Sequence, residues 1–176
     1  DFNRKEHWEN IYTTKELEEV SWYQPNPEFS LHLIFKLIDK NDSIIDIGGG
    51  DSFLVDYLLN EGFTDLTVLD ISENAIKRAQ KRLGEQADKV TWIVSDITEF
   101  RPTKQYHLWY DRAAFHFLKN ADEVALYKEI LEKSYGKSVR VVSVPCFESL
   151  DQRSRDYLNE LIADGFDIHH FITGLS

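Results

Sequence analysis

The sequence of 176 residues contains one cysteine, Cys146, and no methionine. A single cysteine excludes a disulfide within the chain and favours a reducing, intracellular compartment. No apolar stretch approaches the roughly 18 residues that cross a membrane, and the charged start, residues 1–7, does not resemble a secretory signal. We therefore expect a cytoplasmic protein with no membrane partner. Because the chain begins with Asp1 and lacks methionine, we also expect that its native start is not represented.

Basic residues are also few, since 20 Lys and Arg stand against 31 Asp and Glu, which gives a formal charge of −11. Such a negative field repels phosphate backbones, so nucleic acid is not expected as a partner. The one basic run, Lys77-Arg78 with Lys81-Arg82, has helical spacing, and we interpret it as a solvated helix face. The spacing of the histidines indicates no metal site.

Strand and helix patterns alternate from residue 26 onward. Short apolar runs predict strands at residues 43–47, 66–70, 90–94, 106–111, 139–144 and 166–171. Apolar residues at helical spacing lie between them, with caps predicted at Asn26-Pro27, Ser72 and Asn120 and a helix end at Gly136. This order predicts an α/β fold, a Rossmann-like, doubly wound and mostly parallel sheet with helices on both faces.

The length predicts one domain over residues 1–176. Residues 26–176 form the Rossmann-like core of this prediction. The first 25 residues have a different pattern, a short helix over 4–12 followed by an aromatic loop at 21–25, and are predicted to be a lid segment added to the sheet.

Polar features follow the first three predicted strands. The first strand ends in Asp46 and runs into Gly48-Gly49-Gly50, which lets a ligand approach the backbone closely. The second strand ends in Asp70, at the separation from the glycines where a carboxylate accepts from ribose hydroxyls. Asp96 follows the third strand, placed to accept from an exocyclic amine. Because these ends meet at one edge of the sheet, we predict an adenosine-containing ligand.

Two residues bear on which adenosine ligand this is. Phe53 stands where a dinucleotide-binding turn has its third glycine. Asp46 would face a pyrophosphate unfavourably but suits a cationic ligand or one that carries an ammonium group. A sulfonium cofactor with an amino-acid tail meets this requirement, whereas an NAD(P)-dependent oxidoreductase remains the alternative.

Four motifs resemble those of class I S-adenosylmethionine-dependent methyltransferases: Asp-x-Gly-Gly-Gly-x-Ser at 46–52, Leu-Asp-Ile-Ser at 69–72, Ser-Asp-Ile at 95–97 and Asp-Arg-Ala-Ala-Phe-His-Phe-Leu at 111–118. The opening residues, with His7-Trp8-Glu9-Asn10 and Trp22-Tyr23-Gln24, resemble small bacterial members. The resemblance implies that one methyltransferase domain spans the chain and binds S-adenosylmethionine. It implies cofactor contacts from Asp46, Gly48, Gly49, Gly50, Ser52, Asp70, Ile71, Asp96, Ile97 and Asp111.

The resemblance distributes these contacts along the cofactor. The three glycines would touch its methionine part, Asp70 its ribose, and Asp96 with Ile97 its adenine, while Asp111 would lie beside its amino group. Ser52 replaces a third glycine that is common in the family. One strand follows the last predicted helix, where the family usually has an antiparallel pair, so either the sheet is short by one strand or the tail is missing.

The function implied is methyl transfer by in-line displacement, although a non-catalytic S-adenosylmethionine-binding protein is a further alternative. Trp22, Tyr23, Arg112 and His116 are the candidate substrate contacts. His116 could act as a general base or pack as an interior histidine, and Arg112 could pair near Asp111 or with an anionic substrate. An aromatic roof of Trp22, Tyr23, Phe115 and Phe117, with no substrate domain, favours a small-molecule acceptor over a protein lysine.

Overall fold

The computed structural model describes residues 2–112, 114–143, 152–165 and 167–170. Its elements in chain order are α1 (Arg4–Thr14), α2 (Glu28–Leu37), β1 (Ser43–Ile47), α3 (Leu54–Asn60), β2 (Asp65–Asp70), α4 (Glu73–Leu83), β3 (Val90–Val94), β4 (Tyr106–Asp111), α5 (Ala121–Lys133), β5 (Tyr135–Ser143), α6 (Gln152–Ala163) and β6 (Asp167–His170). The strands form one sheet in the order β3-β2-β1-β4-β5-β6. Every neighbouring pair among these described strands is parallel, which confirms the predicted fold class.

Each predicted strand has a counterpart, and the main difference concerns β5. The sequence places its start at residue 139, whereas the strand begins at Tyr135 and therefore includes Gly136. Ser134 ends α5 instead, because its N–H and its hydroxyl both donate to the Ile130 carbonyl, at 3.0 and 2.8 Å. Gly136 is thus wrong as the helix end, since a serine that bonds back to the last turn satisfies that carbonyl.

Two of the three predicted helix caps are confirmed. The Ser72 hydroxyl accepts from the Ala75 N–H, and the Asn120 side chain accepts from the Glu123 N–H. At α2, Pro27 itself occupies the capping position, and the Asn26 side chain donates to the Glu28 carboxylate instead. The prediction that Asn26 caps this helix is therefore wrong.

The sheet has an apolar core on each face, because successive side chains of a strand point to opposite sides. Ile44, Leu66 and Leu108 belong to one cluster, which packs against α2 and α3. Ile45 and Trp109 belong to the other cluster, which packs against α5 and α6. Because both faces of the sheet are covered by helices, an open cleft for a ligand is expected at its ends.

β6 lies directly beside β5 and runs parallel to it. An antiparallel strand is not found among the described residues, and residues 171–176 lie outside them. In the described part of the chain, no helix is long and apolar enough to cross a membrane. In the same part, no group of three or more His, Cys, Asp or Glu side chains is arranged to hold a metal ion.

The strand order places the candidate site. From β1 the chain crosses to β2 and β3 on one side, and β4 lies on the other side of β1. Parallel sheets bind ligands in the crevice beyond the carboxyl ends of the strands at such a reversal. The residues that follow β1, β2, β3 and β4 therefore form the region where a ligand site is expected.

Candidate active site

A cleft opens at the carboxyl ends of β1, β2, β3 and β4 and is covered by α1. Its walls include several residues predicted from the sequence: Trp22, Gly48, Asp70, Ile71, Asp96, Ile97, Arg112 and His116. A smaller adjoining cavity includes the predicted residues Tyr23, Gly49 and Ser52. The two cavities share Tyr12, Trp22, Gly48 and Arg112, so they meet at the start of the glycine-rich turn. The other predicted residues are buried: Asp46, Gly50 and Asp111.

The glycine-rich turn after β1 folds against the end of β2. The N–H groups of Gly48 and Gly49 donate to the Leu69 carbonyl at 2.8 and 3.3 Å. Gly48 has a φ of +67° and Gly50 a φ of +32°, which side chains rarely tolerate. A Cβ atom on Gly50 would lie 2.5 Å from Asp70 Oδ2. Glycine is required at these positions because of the backbone conformation and because the turn lies against a carboxylate.

Two buried carboxylates flank this turn. A Cβ atom on Gly49 would lie 2.5 Å from Asp46 Oδ2. Burial raises the pKa of Asp46 to about 8, and the charge of Arg112 opposes this rise. Burial raises the pKa of Asp70 to about 7, although the Ser72 N–H donates to its Oδ1 at 2.8 Å. Both carboxyls therefore change charge near neutral pH, and a cationic ligand beside them would favour the ionised forms.

These two carboxyls predict that the free energy of unfolding declines as the pH rises through neutrality. Their folded pKa values, about 8 for Asp46 and about 7 for Asp70, lie above the ordinary value of 3.8. Between these limits the folded protein holds protons that the unfolded chain has lost. Their contribution is therefore complete below the unfolded pKa and is lost as the pH rises through 7 to 8. We expect the free energy of unfolding to fall by a few kcal/mol between about pH 6 and about pH 9.

Urea unfolding at several pH values measures this decline. Asp46→Asn should reduce the decline to the part that Asp70 contributes, because the amide does not titrate. Asp65→Asn changes a half-exposed carboxylate at the opposite end of β2 and should leave the decline unchanged. An unfolding free energy that rises over this interval in the unaltered protein would contradict the prediction.

Asp111, at the end of β4, holds the following turn in place. It accepts hydrogen bonds from the N–H groups of Ala114 and Phe115 at 2.8 and 3.2 Å. It also accepts from the hydroxyl of Tyr127 at 2.6 Å, and Trp109 Nε1 donates to that hydroxyl at 2.8 Å. Burial and the charge of Asp111 raise the pKa of Tyr127, so the phenol remains a donor. The network joins the end of β4 to α5 and to the short 3₁₀ turn Ala114–Phe117.

Sequence reasoning missed Arg4, which lies in the cleft wall between two acidic groups. Its Nη1 donates to Asp96 Oδ2 at 2.9 Å, and its Nη2 pairs with the Glu123 carboxylate. Asp96 Oδ1 accepts from the N–H and hydroxyl of Thr98, at 2.9 and 2.8 Å. No local pattern could reveal these pairs, because Arg4 is 92 residues from Asp96 and 119 from Glu123.

Helix α1 covers the cleft with aromatic rings. The Trp8 ring lies 5.3 Å from Trp22 and 4.7 Å from Phe117, both edge to face. The Glu9 carboxylate accepts from the N–H groups of Glu73 and Asn74, at 2.6 and 3.2 Å. These N–H groups belong to the first turn of α4, where a helix provides no acceptor of its own for them. The cover is thus attached to the helix that follows Asp70.

Arg112 connects the end of β4 to the N-terminal segment. It donates to Gln24 Oε1 at 2.9 Å and to the Trp22 carbonyl at 2.6 Å. The sequence left open whether Arg112 pairs near Asp111 or with an anionic substrate. The structure gives it a third role, since it holds the loop that carries Trp22 against the sheet.

The predicted aromatic roof is correct only in part. Trp22 and Phe117 line the cleft, whereas Tyr23 packs edge to face against Phe53, with ring centres 6.3 Å apart, in the smaller cavity. Phe115 is wrong as a roof residue, because it is buried and stacks on Tyr157 at 4.0 Å. Ala114, His116 and Phe117 of the same 3₁₀ turn line the cleft, whereas Phe115 belongs to the core, a division that the sequence could not show.

The basic run on α4 is not a solvated face throughout. Arg82 Nη1 donates to Asp51 Oδ1 at 2.6 Å, and Arg78 Nη1 lies 3.6 Å from Asp51 Oδ2. Lys77 is exposed and pairs with Glu73 one turn away. The interpretation as a solvated face is therefore wrong for both arginines, which turn toward the loop after the glycines.

Comparison with known proteins supports the fold and the family. Residues 44–133, more than half of the chain, match the family model described as a methyltransferase domain. A glycopeptide N-methyltransferase solved with S-adenosyl-L-homocysteine has a TM-score of 0.56 and 18% identity, and covers 73% of this chain and 55% of that chain. At this identity the likeness concerns the fold alone.

Two similar proteins are both named for methylation of eEF1A. The eEF1A lysine and N-terminal methyltransferase of Mus musculus is 25% identical over 128 residues, which cover 72% of this chain and only 18% of that protein. EEF1A lysine methyltransferase 2 of Homo sapiens is 24% identical over 180 residues, which cover 93% of this chain and 74% of that protein. The chain belongs to the methyltransferase-domain family and has the class I S-adenosylmethionine-dependent methyltransferase fold.

Proposed function

We propose that this protein is an active methyltransferase that takes a methyl group from S-adenosylmethionine. The observation that carries the proposal is a glycine-rich turn packed between buried Asp46 and Asp70 at the ends of adjacent strands. Family membership agrees with the cofactor predicted from the sequence. Phe53 and Asp46 disfavour the nicotinamide alternative, as argued above.

The adenosine part of the cofactor would occupy the main cleft. Asp70 would accept from the ribose hydroxyls, and Ile71, Asp96 and Ile97 line the neighbouring region that we assign to adenine. Each carboxylate oxygen of Asp96 has two acceptor positions. An adenine amino group could therefore bond to Asp96 Oδ2 while Arg4 keeps its own bond to that atom.

The amino-acid tail would lie along the turn toward the smaller cavity. Gly48, Gly49 and Ser52 line that cavity, Gly50 is buried beside Asp70, and the Asp46 carboxylate supplies negative charge for an ammonium group. Asp111 was predicted beside the same ammonium. Since it already accepts from two N–H groups and a phenol, we assign it to positioning residues 112–117 around the tail.

The bound cofactor supplies a methyl carbon that its sulfonium activates for in-line displacement. The protein must then align the acceptor, exclude water and, where needed, take a proton. The rings of Trp8, Trp22 and Phe117 exclude water from the covered side of the cleft. His116 lines the same cleft, and we assign it the role of proton acceptor.

We propose a small, partly apolar molecule as the acceptor. The support is the aromatic cover, which belongs to this chain and leaves a cleft lined mainly by apolar groups. Relatives are named for lysine or N-terminal methylation of a protein, so a protein acceptor is the other outcome to be tested. The cytoplasmic location and the lack of a nucleic-acid partner stay predictions from the sequence.

Titration calorimetry with S-adenosylhomocysteine tests cofactor binding, and thermal shifts with NAD and NADP test the alternative. We expect heat with the first ligand and no stabilisation by the others. Turnover is then followed as release of S-adenosylhomocysteine with a panel of small amines, alcohols and thiols beside lysine-containing proteins. Folded protein that binds only a nicotinamide cofactor would overturn the proposal.

His116→Asn should lower the turnover number by about tenfold or more while the affinity for S-adenosylhomocysteine stays within a few-fold. The expected reason is the loss of a proton acceptor beside the acceptor atom. Tyr23→Phe is the matched comparison, because Tyr23 lines the smaller cavity beside the glycines. It should alter cofactor affinity more than turnover. Normal turnover by His116→Asn would remove His116 from the reaction.

A further inference from the structure

Arg82 of α4 directs both of its terminal nitrogens, Nη1 and Nη2, to the loop that follows the glycines. Nη1 donates to Asp51 Oδ1 and to the Asp51 carbonyl, at 2.6 and 3.3 Å. Nη2 donates to the Ser52 carbonyl at 2.9 Å. The guanidinium also lies 4.4 Å from the ring centre of Phe53. One side chain thus contacts three consecutive residues of the loop.

The same guanidinium is fixed from its other side by α3. Its Nε and Nη2 donate to the two carboxylate oxygens of Asp56, at 2.9 and 2.8 Å. Such a two-point pair with a carboxylate holds the plane of the guanidinium in one orientation. Arg82 therefore presents its donors to the loop in a fixed geometry.

Removing these contacts would leave a poorly compensated buried charge. The Asp51 side chain is 4% exposed, and besides Arg82 it has an ionic contact with Arg78 Nη1 at 3.6 Å. Burial raises the pKa of Asp51, and the two arginines oppose that rise. A buried carboxylate that loses its main partner moves toward water or takes up a proton. Either change would displace the backbone directly after Gly50.

We propose that Arg82 is a positioning residue that holds the glycine-rich turn in the conformation that receives the amino-acid tail of the cofactor. This inference rests on the proposed function. Arg82 connects the loop after β1, which follows the glycine-rich turn, to α4, the helix that follows Asp70. Arg82 is not among the residues that line the two cavities, so its effect on the ligand is transmitted through the glycine-rich turn.

The adenosine end of the cofactor depends on other residues. Asp70 is held by the Ser72 N–H, and Asp96 by Thr98 and Arg4, none of which bonds to Arg82. Loss of Arg82 should therefore weaken a ligand that has the amino-acid tail more than a ligand that lacks it. A general loss of structure would weaken both ligands alike.

The test compares two ligands on Arg82→Met, which keeps an apolar stem but removes the donors. S-adenosylhomocysteine has the tail, and methylthioadenosine keeps the adenosine and sulfur without it. We expect the dissociation constant of the first to rise about tenfold and that of the second to stay within about twofold. Arg82→Lys should resemble Arg82→Met, because three donors on one ammonium nitrogen cannot replace the five hydrogen bonds that the guanidinium makes to Asp51, Ser52 and Asp56. Lys81→Met, at an exposed neighbouring position, is the control.

Amide hydrogen exchange gives a readout that needs no ligand. We expect faster exchange at residues 49–54 in Arg82→Met and unchanged exchange in β2 and β3. If that variant does not fold, Arg82→Lys and Asp51→Asn give the same comparison. Equal weakening of both ligands, or unchanged loop exchange, would overturn the role of Arg82. If the unaltered protein binds neither ligand, but Arg82→Met still shows faster exchange at residues 49–54, the proposed function alone is overturned.

Discussion

Asp70→Ala should raise the dissociation constant for S-adenosylhomocysteine about 10- to 150-fold, which corresponds to about 1.5–3 kcal/mol for hydrogen bonds to a charged group. Asp70 is buried at the end of β2, and its Oδ2 lies 2.5 Å from the position that a Cβ of Gly50 would occupy. The carboxylate thus lies between the glycine-rich turn and the part of the cleft that we assign to the ribose. Its loss removes acceptors for the ribose and leaves a gap under the turn.

Calorimetry on Asp70→Ala and Asp70→Asn measures this loss, with thermal unfolding as the check that each variant is folded. Asp65→Ala, at the amino end of the same strand, pairs with Lys104 away from the cleft and should bind as the native protein does. An Asp70→Ala variant that is folded and binds with native affinity would exclude the ribose role.

The affinity should also depend on pH. The pKa of Asp70 in the free protein is about 7, so part of the population is protonated at neutral pH. Ribose hydroxyls donate to the ionised form more strongly, so binding should lower this pKa and release protons. We expect affinity to increase from about pH 6 to about pH 8, and less so in Asp70→Asn. The titration of Asp46 accounts for the remaining dependence.

Asp111→Ala should lower the free energy of unfolding by about 3 kcal/mol or more, because it leaves buried donors without their acceptor. Those donors are the N–H groups of Ala114 and Phe115 and the hydroxyl of Tyr127. For a chain of this size the melting temperature should fall by about 6–12 °C. The 3₁₀ turn that carries His116 would also lose its anchor.

Tyr127→Phe is the graded comparison for Asp111→Ala. It removes one donor to Asp111 and the acceptor of Trp109 Nε1, but it leaves both backbone N–H groups bonded. We expect about a third to a half of the Asp111→Ala effect, measured by urea unfolding. If Asp111→Ala were as stable as the native protein, the network would not hold the turn.

The strand and helix pattern, two helix caps and the position of the candidate site could be predicted from the sequence. The alternation of short apolar runs with amphipathic segments predicted a parallel α/β sheet, because strand and helix periodicity reflect which faces are buried. The Ser72 and Asn120 caps were predictable because a cap bonds to an N–H only three residues away. Glycines after a strand and Asp70 at the next strand end placed the candidate ligand site before any contact was known.

Contacts between distant residues were decided only by the tertiary structure. Arg4 reaches Asp96, Arg82 reaches Asp51, and Arg112 reaches Gln24, although nothing in the local sequence marks them as partners. Arginines at helical spacing, such as Arg82 on α4, predict a solvent-exposed helix face. Only the path of the folded chain brings a carboxylate opposite them. Likewise the 3₁₀ turn buries Phe115 and leaves His116 in the cleft, because the Asp111 carboxylate fixes how that turn is rotated. The order of elements and the residue types at the strand ends follow from local sequence patterns, since both depend on short-range sterics and on the periodicity of burial. The folded chain decided which side chains support that chemistry, since such pairing depends on the three-dimensional path.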